Sequence, residues 1–160
     1  MQTASRQWLV LFALLALCLT VGSLGGIITA RSVGDWYLTI NRPPWNPPAF
    51  IFAPVWTVLY FSMAVAAWLV WKRDRRFAGV RLALVFFFIQ LALNFLWPFV
   101  FFGAHAIGAA LFNIALLWIA LALTVWAFFG VSRLAGVLML PYLAWVSFAS
   151  FLNFAIWQLN

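Results

Sequence analysis

The chain has 160 residues, 68% of them hydrophobic and 7% charged, with a net charge of +7. Soluble domains carry about 25% charged residues, and a chain this short cannot hide so much apolar surface, so a soluble globular domain is excluded. The apolar runs are continuous rather than alternating, which excludes a transmembrane β-barrel and predicts one all-α domain, an integral membrane bundle of five transmembrane helices.

A spanning helix needs roughly 20 apolar residues, and five stretches qualify, near 7–30, 49–71, 82–102, 107–129 and 134–157. The first begins behind Arg6 and has small residues near Val21–Ser23, as a signal peptide would. Its apolar run continues through Ile27 and Ile28 to Ala30, longer than a signal h-region, so it is predicted to remain as a helix. Cys18, the only cysteine, lies mid-span and reads as inert packing. Gly22 and Gly26 are four apart and permit close helix contact, either within the chain or between two copies.

The connection 31–48 is long for a compact protein, and loops of that kind are usually functional. Pro43 and Pro44 fix φ, while Asn46 followed by Pro47 and Pro48 reads as an N-cap and the first positions of the second helix. The result is a stiff lid with little entropy left to lose on binding. Trp36, Tyr37 and Trp45 suit the headgroup level; an aromatic belt explains these rings but not the prolines.

In the second span Trp56 and Tyr60 share a face. The short loop 72–81 then collects Lys72, Arg73, Arg75, Arg76 and Arg81. By the positive-inside rule it lies in the cytoplasm with the N-terminus, and the 31–48 loop and the C-terminus lie on the opposite side. The cluster reads chiefly as this topology signal, and secondarily as a contact for anionic lipid headgroups. Nucleic acid is not a predicted partner, since no soluble basic domain exists to present such a patch.

The third span places Gln90, Asn94 and Trp97 at i, i+4 and i+7, on one face. Two amides facing lipid are costly, so this stripe is predicted to face inward, as interhelical glue or as the wall of a ligand pocket. His105, in the turn before the fourth span, is a polar turn residue or an axial haem ligand. In the fifth span Trp145, Ala149, Leu152, Asn153 and Ile156 share a face, with an indole one turn from a small alanine. Pro54, Pro98 and Pro141 interrupt spans, freeing the carbonyls of Phe50, Asn94 and Val137, and each lies within four residues of Trp56, Trp97 or Trp145.

No predicted span contains Asp, Glu, Lys, Arg or His. Ion-coupled transporters normally place such groups inside the bundle, so an ion-driven pump is not expected. Hydrolytic chemistry and a metal centre are not expected either, for want of paired carboxylates or a ligand cluster. Converging indoles, two amides and apolar walls are the composition of a site for a flat aromatic ligand.

Together RPPWNPP at 42–48, APVWTVLY at 53–60, QLALNFLWP at 90–98, FFGA at 101–104 and PYLAWVSFASFLN at 141–153 carry a resemblance. The chain resembles the tryptophan-rich sensory protein family, TspO, whose mitochondrial relatives are the translocator protein or peripheral benzodiazepine receptor. The resemblance implies a five-helix bundle, often a dimer. It implies a pocket under the first loop for porphyrins such as protoporphyrin IX and haem, and for benzodiazepine- and isoquinoline-type ligands. The ligand-binding positions it implies are Tyr37, Trp56, Gln90, Asn94, Trp97, Trp145 and Ala149; Trp45 of the lid joins them as a candidate.

Some bacterial members of that family are reported to degrade protoporphyrin in light and oxygen, and the catalytic pair would be Trp56 and Trp145. Porphyrin propionates would lie near Arg42 or Arg31. Two departures stand out. Phe154 replaces the tyrosine of the vertebrate cholesterol-recognition motif, and IWQLN lacks its base, so sterol binding by that route is not expected. Ala109 stands where the vertebrate fourth helix carries a pocket tryptophan.

Overall fold

The computed structural model describes residues 4–73 and 78–160. Its helices are α1 (Ala4–Val33), α2 (Trp36–Thr39), α3 (Phe52–Trp71), α4 (Ala78–Pro98), α5 (Ile107–Val131) and α6 (Arg133–Leu159). Five helices are long and apolar enough to cross a membrane, as the hydropathy requires. α1, α5 and α6 overrun the predicted spans and α4 starts early, by up to about a turn, whereas α3 begins three residues late and α4 ends four short; Arg6, Arg31, Arg81 and Arg133 lie at or near helix ends. Asp74, Arg75 and Arg76 of the predicted basic loop lie outside the described residues.

The long helices pack as a ring in the order α1, α3, α6, α5, α4, and α4 returns to α1. Small residues set the spacing on α3, where Ala64, Ala66 and Ala67 are fully buried beside Met63. Gly22 of α1 lies against Tyr60, where an added Cβ would stand 2.5 Å from the ring, and Gly25 lies against Pro98. Gly22 therefore serves packing within the chain, whereas Gly26 meets nothing within 4 Å. Large apolar side chains such as Phe12, Phe112, Trp126 and Phe151 point outward, as lipid permits.

The two ends of the bundle differ. At one end Trp8 stacks on Trp68 with ring centres 6.1 Å apart. The Trp68 indole donates to the Gln7 carbonyl at 2.9 Å, and Lys72 Nζ lies 4.1 Å from the Trp68 ring centre. The other end carries α2, the following loop and the end of α6.

The prolines act in three different ways. Pro54 falls in the first turn of α3, where its missing amide has no place in the α ladder, so it does not interrupt the span as predicted. Pro98 ends α4, and a π-helical turn over Phe99–Gly103 follows. The Ser32 hydroxyl reaches across from α1 to donate to the Phe102 carbonyl of that turn at 2.6 Å. Pro141 alone lies within a continuing helix.

The 31–48 connection is shorter than predicted, because α1 runs on to Val33 and α2 occupies Trp36–Thr39. Asn46 does not cap the next helix. A 3-10 turn over Ala49–Ile51 begins behind Pro48 with no side-chain cap. The Asn46 Oδ1 instead accepts the Tyr37 hydroxyl at 2.8 Å. A tyrosine already buried on α2 outcompetes the local cap for that oxygen.

Candidate ligand-binding site

The stripe predicted on the third span does face inward: Gln90 and Asn94 are buried, and Trp97 is half-buried. Their polar atoms meet different fates. Asn94 accepts from the Tyr60 hydroxyl of α3 and donates to the Tyr142 hydroxyl of α6 at 2.6 Å. One carboxamide thus ties three helices together, using the donor and acceptor that only such a side chain combines. The Trp97 indole donates to Asn153 Oδ1 at 3.2 Å, and Asn153 Nδ2 donates to the Ile107 carbonyl at 3.2 Å. These amides are interhelical glue.

Gln90 is different. It is 0% exposed, and among the described residues neither its Nε2 nor its Oε1 has a hydrogen-bond partner. Each unmatched group of this kind costs about 1–3 kcal/mol, and such a group in a native fold calls for an explanation. It sits one turn before Asn94, on the same helix face.

The two tryptophans paired by sequence have separate surroundings. Trp56 packs on Tyr60 at 5.5 Å and edge-on to Tyr142 at 6.0 Å, beside the amide network. Trp145 meets Phe52 at 5.9 Å and Phe148 at 5.7 Å. The two indoles share no ring partner among the described residues, and neither indole N–H is used in a hydrogen bond there. Sequence reasoning noted Tyr60 only as a neighbour of Trp56 and missed Tyr142. The signal for Tyr142 was its place three residues before Trp145 on the same helix.

A cavity of about 660 Å³ opens between α3 and α6. Its walls include Pro54, Val58, Pro141, Ala144, Trp145 and Phe148. Pro54, Val58, Pro141 and Ala144 are exposed, so the cavity faces the lipid side of the bundle. It is a shallow, open and almost wholly apolar groove rather than an enclosed cleft. Ala149 is half-buried one turn beyond Trp145, whereas Ala109 is exposed on α5 and takes no part in the buried cluster.

The loop after α2 meets α6 through Trp45, whose ring stands edge-on to Phe148 at 5.9 Å. Tyr37 packs on Phe101 and Phe102, with the Arg42 guanidinium 5.1 Å from its ring centre. Burial raises the Tyr37 hydroxyl above its ordinary pKa; Arg42 and the Asn46 hydrogen bond offset part of that rise. His105 takes a left-handed backbone, φ 55°, and its ring lies flat against Trp36 at 4.2 Å.

The signature of the TspO/MBR family matches residues 14–158. The chain is 45% identical to the tryptophan-rich protein TspO of Chlorobaculum tepidum, covering 98% of this chain and 99% of that one. It is 39% identical to the tryptophan-rich sensory protein of Cereibacter sphaeroides, over 98% and 94% of the two chains. It is 42% identical to the translocator protein of Homo sapiens, over 86% and 85%. A five-span bundle with these matches end to end is a multi-pass integral membrane protein, and the chain belongs to the TspO/MBR family.

Proposed function

We propose that the protein is a membrane receptor or carrier whose ligand is a flat tetrapyrrole such as protoporphyrin IX or haem. The same site would accept benzodiazepine- and isoquinoline-type aromatics. The observation that carries this reading is unspent polarity on α3, α4 and α6. Among the described residues Gln90 is buried without partners, and no hydrogen bond uses the indole N–H of the half-buried Trp56 or Trp145. A macrocycle offers π faces to these indoles and ring nitrogens to the amide. Arg42 at the lid and Arg31 at the end of α1, both exposed, suit its propionates as charge-assisted partners. The names of its relatives, sensory protein and translocator protein, agree with a binding role.

The basic end, with Lys72 and Arg73, is assigned to the cytoplasm and to anionic headgroups, and the lid to the opposite side. Self-association, which the resemblance implies, would use a surface other than Gly22 and Gly25, since both are packed within the chain.

The test is quenching of tryptophan fluorescence by protoporphyrin IX in the dark, wild type beside Trp56→Phe and Trp145→Phe. Weakened binding in both variants supports the site. Affinity equal to wild type in both overturns it.

A second reading, photo-oxidative destruction of the bound porphyrin, is favoured by one contact. Trp56, an oxidisable ring, packs against two tyrosines. Illumination of the wild-type complex in air would then consume porphyrin faster than detergent alone, and the tryptophan variants would not.

A further inference from the structure

We infer that Asn160 is a clasp holding the lid shut, and that its opening sets how fast a ligand enters and leaves. The gating role rests on the binding reading above; the clasp itself rests on geometry alone. The Asn41 backbone N–H donates to Asn160 Oδ1 at 3.0 Å, and Asn160 Nδ2 donates back to the Asn41 carbonyl at 2.9 Å. The pairing is reciprocal, as between two peptide groups, and a side chain can make it only with a carboxamide. Asn41 adds its own Nδ2, donated to the Leu159 carbonyl at 3.2 Å. Asn160 Nδ2 also reaches the Ile156 carbonyl at 2.8 Å. Leu159 and Ile156 sit in the last turn of α6, where carbonyls lack helix partners, so the clasp satisfies groups that otherwise need water.

The clasp acts on a stiff body. Pro43, Pro44, Pro47 and Pro48 limit the loop's internal freedom, so it moves as a unit. Its second hold on α6 is Trp45 against Phe148. Leu159 lies eleven residues beyond Phe148, or about 17 Å along a helix at 1.5 Å per residue. The segment 41–45 therefore drapes along α6 from its end to the wall of the α3–α6 cavity, which Phe148 lines. Both asparagines are exposed, so each bond contributes modestly, enough to slow opening severalfold without locking the loop.

A clasp present in both the free and the bound closed states, and broken during passage, slows entry and exit equally. Its removal speeds both without changing affinity. Stopped-flow quenching by protoporphyrin IX, with the full chain in phosphatidylcholine–phosphatidylglycerol nanodiscs, reads this directly. In Asn160→Ala both rate constants rise roughly fivefold with Kd unchanged. Asn160→Asp, which still accepts from the Asn41 N–H but cannot donate, falls between. Hydrogen exchange at the Asn41 amide, slow in wild type, becomes fast in Asn160→Ala.

Rates unchanged in Asn160→Ala overturn the gating role and point to lateral passage between α3 and α6. A faster exit with unchanged entry also overturns it. Fast exchange at Asn41 in wild type overturns the clasp. Wild type that does not quench overturns the binding reading and the gating role with it, while amide exchange still decides the clasp.

Discussion

Asn94 on α4 donates its side-chain amide to the hydroxyl of Tyr142 on α6, at 2.6 Å inside the bundle. Its oxygen is taken by Tyr60 of α3, so the residue is a structural tie. Replacing it leaves two buried hydroxyls without partners, at about 1–3 kcal/mol for each. Asn94→Ala is expected to lower the thermal midpoint clearly in detergent, and Asn94→Asp less so. Circular dichroism melting is the check.

Gln90, one turn earlier, behaves in the opposite way. Its amide is buried without partners, and an apolar replacement of similar size removes that cost. Gln90→Leu is expected to hold or raise the melting temperature. A fall of several degrees would show that the amide is satisfied in the folded protein.

Gly22 and Gly26 separate close packing from open surface. A Cβ at Gly22 would stand 2.5 Å from the Tyr60 ring, while Gly26 faces open space. Gly22→Ala should cost about 1–3 kcal/mol by overpacking. Gly26→Ala should be neutral or gain up to about 1 kcal/mol from helix propensity. The same melting comparison distinguishes them.

Tyr37 supplies a pH prediction. Burial raises its hydroxyl pKa above the ordinary value of 10.0. The native state therefore holds this proton more tightly than the unfolded chain does. Its contribution is intact below pH ~10 and is lost as pH rises through the native pKa. Ultraviolet titration of Tyr37→Phe beside wild type should show the loss of one phenol that ionises above the ordinary range.

The sequence made the helices legible because lipid demands long apolar runs and leaves few alternatives. It also showed that Gln90 and Asn94 face inward, since i and i+4 share a helix face. It did not show which amide is spent. That depends on Tyr60 and Tyr142 arriving from other helices, 34 and 48 residues away. The clasp was hidden for the same reason, with 119 residues between Asn41 and Asn160. The π turn after Pro98 is tied to a hydroxyl on α1, a contact that no local pattern contains. Asn46 looked like a cap locally and was claimed by Tyr37 from outside its turn.

The central claim is that a buried, unpartnered amide is kept for a tetrapyrrole. Dark titration of protoporphyrin IX into wild type and Gln90→Leu tests it most directly. The account predicts a folded variant that binds at least about tenfold more weakly, the loss expected from one buried polar contact. Equal affinity in a variant as stable as wild type would contradict it.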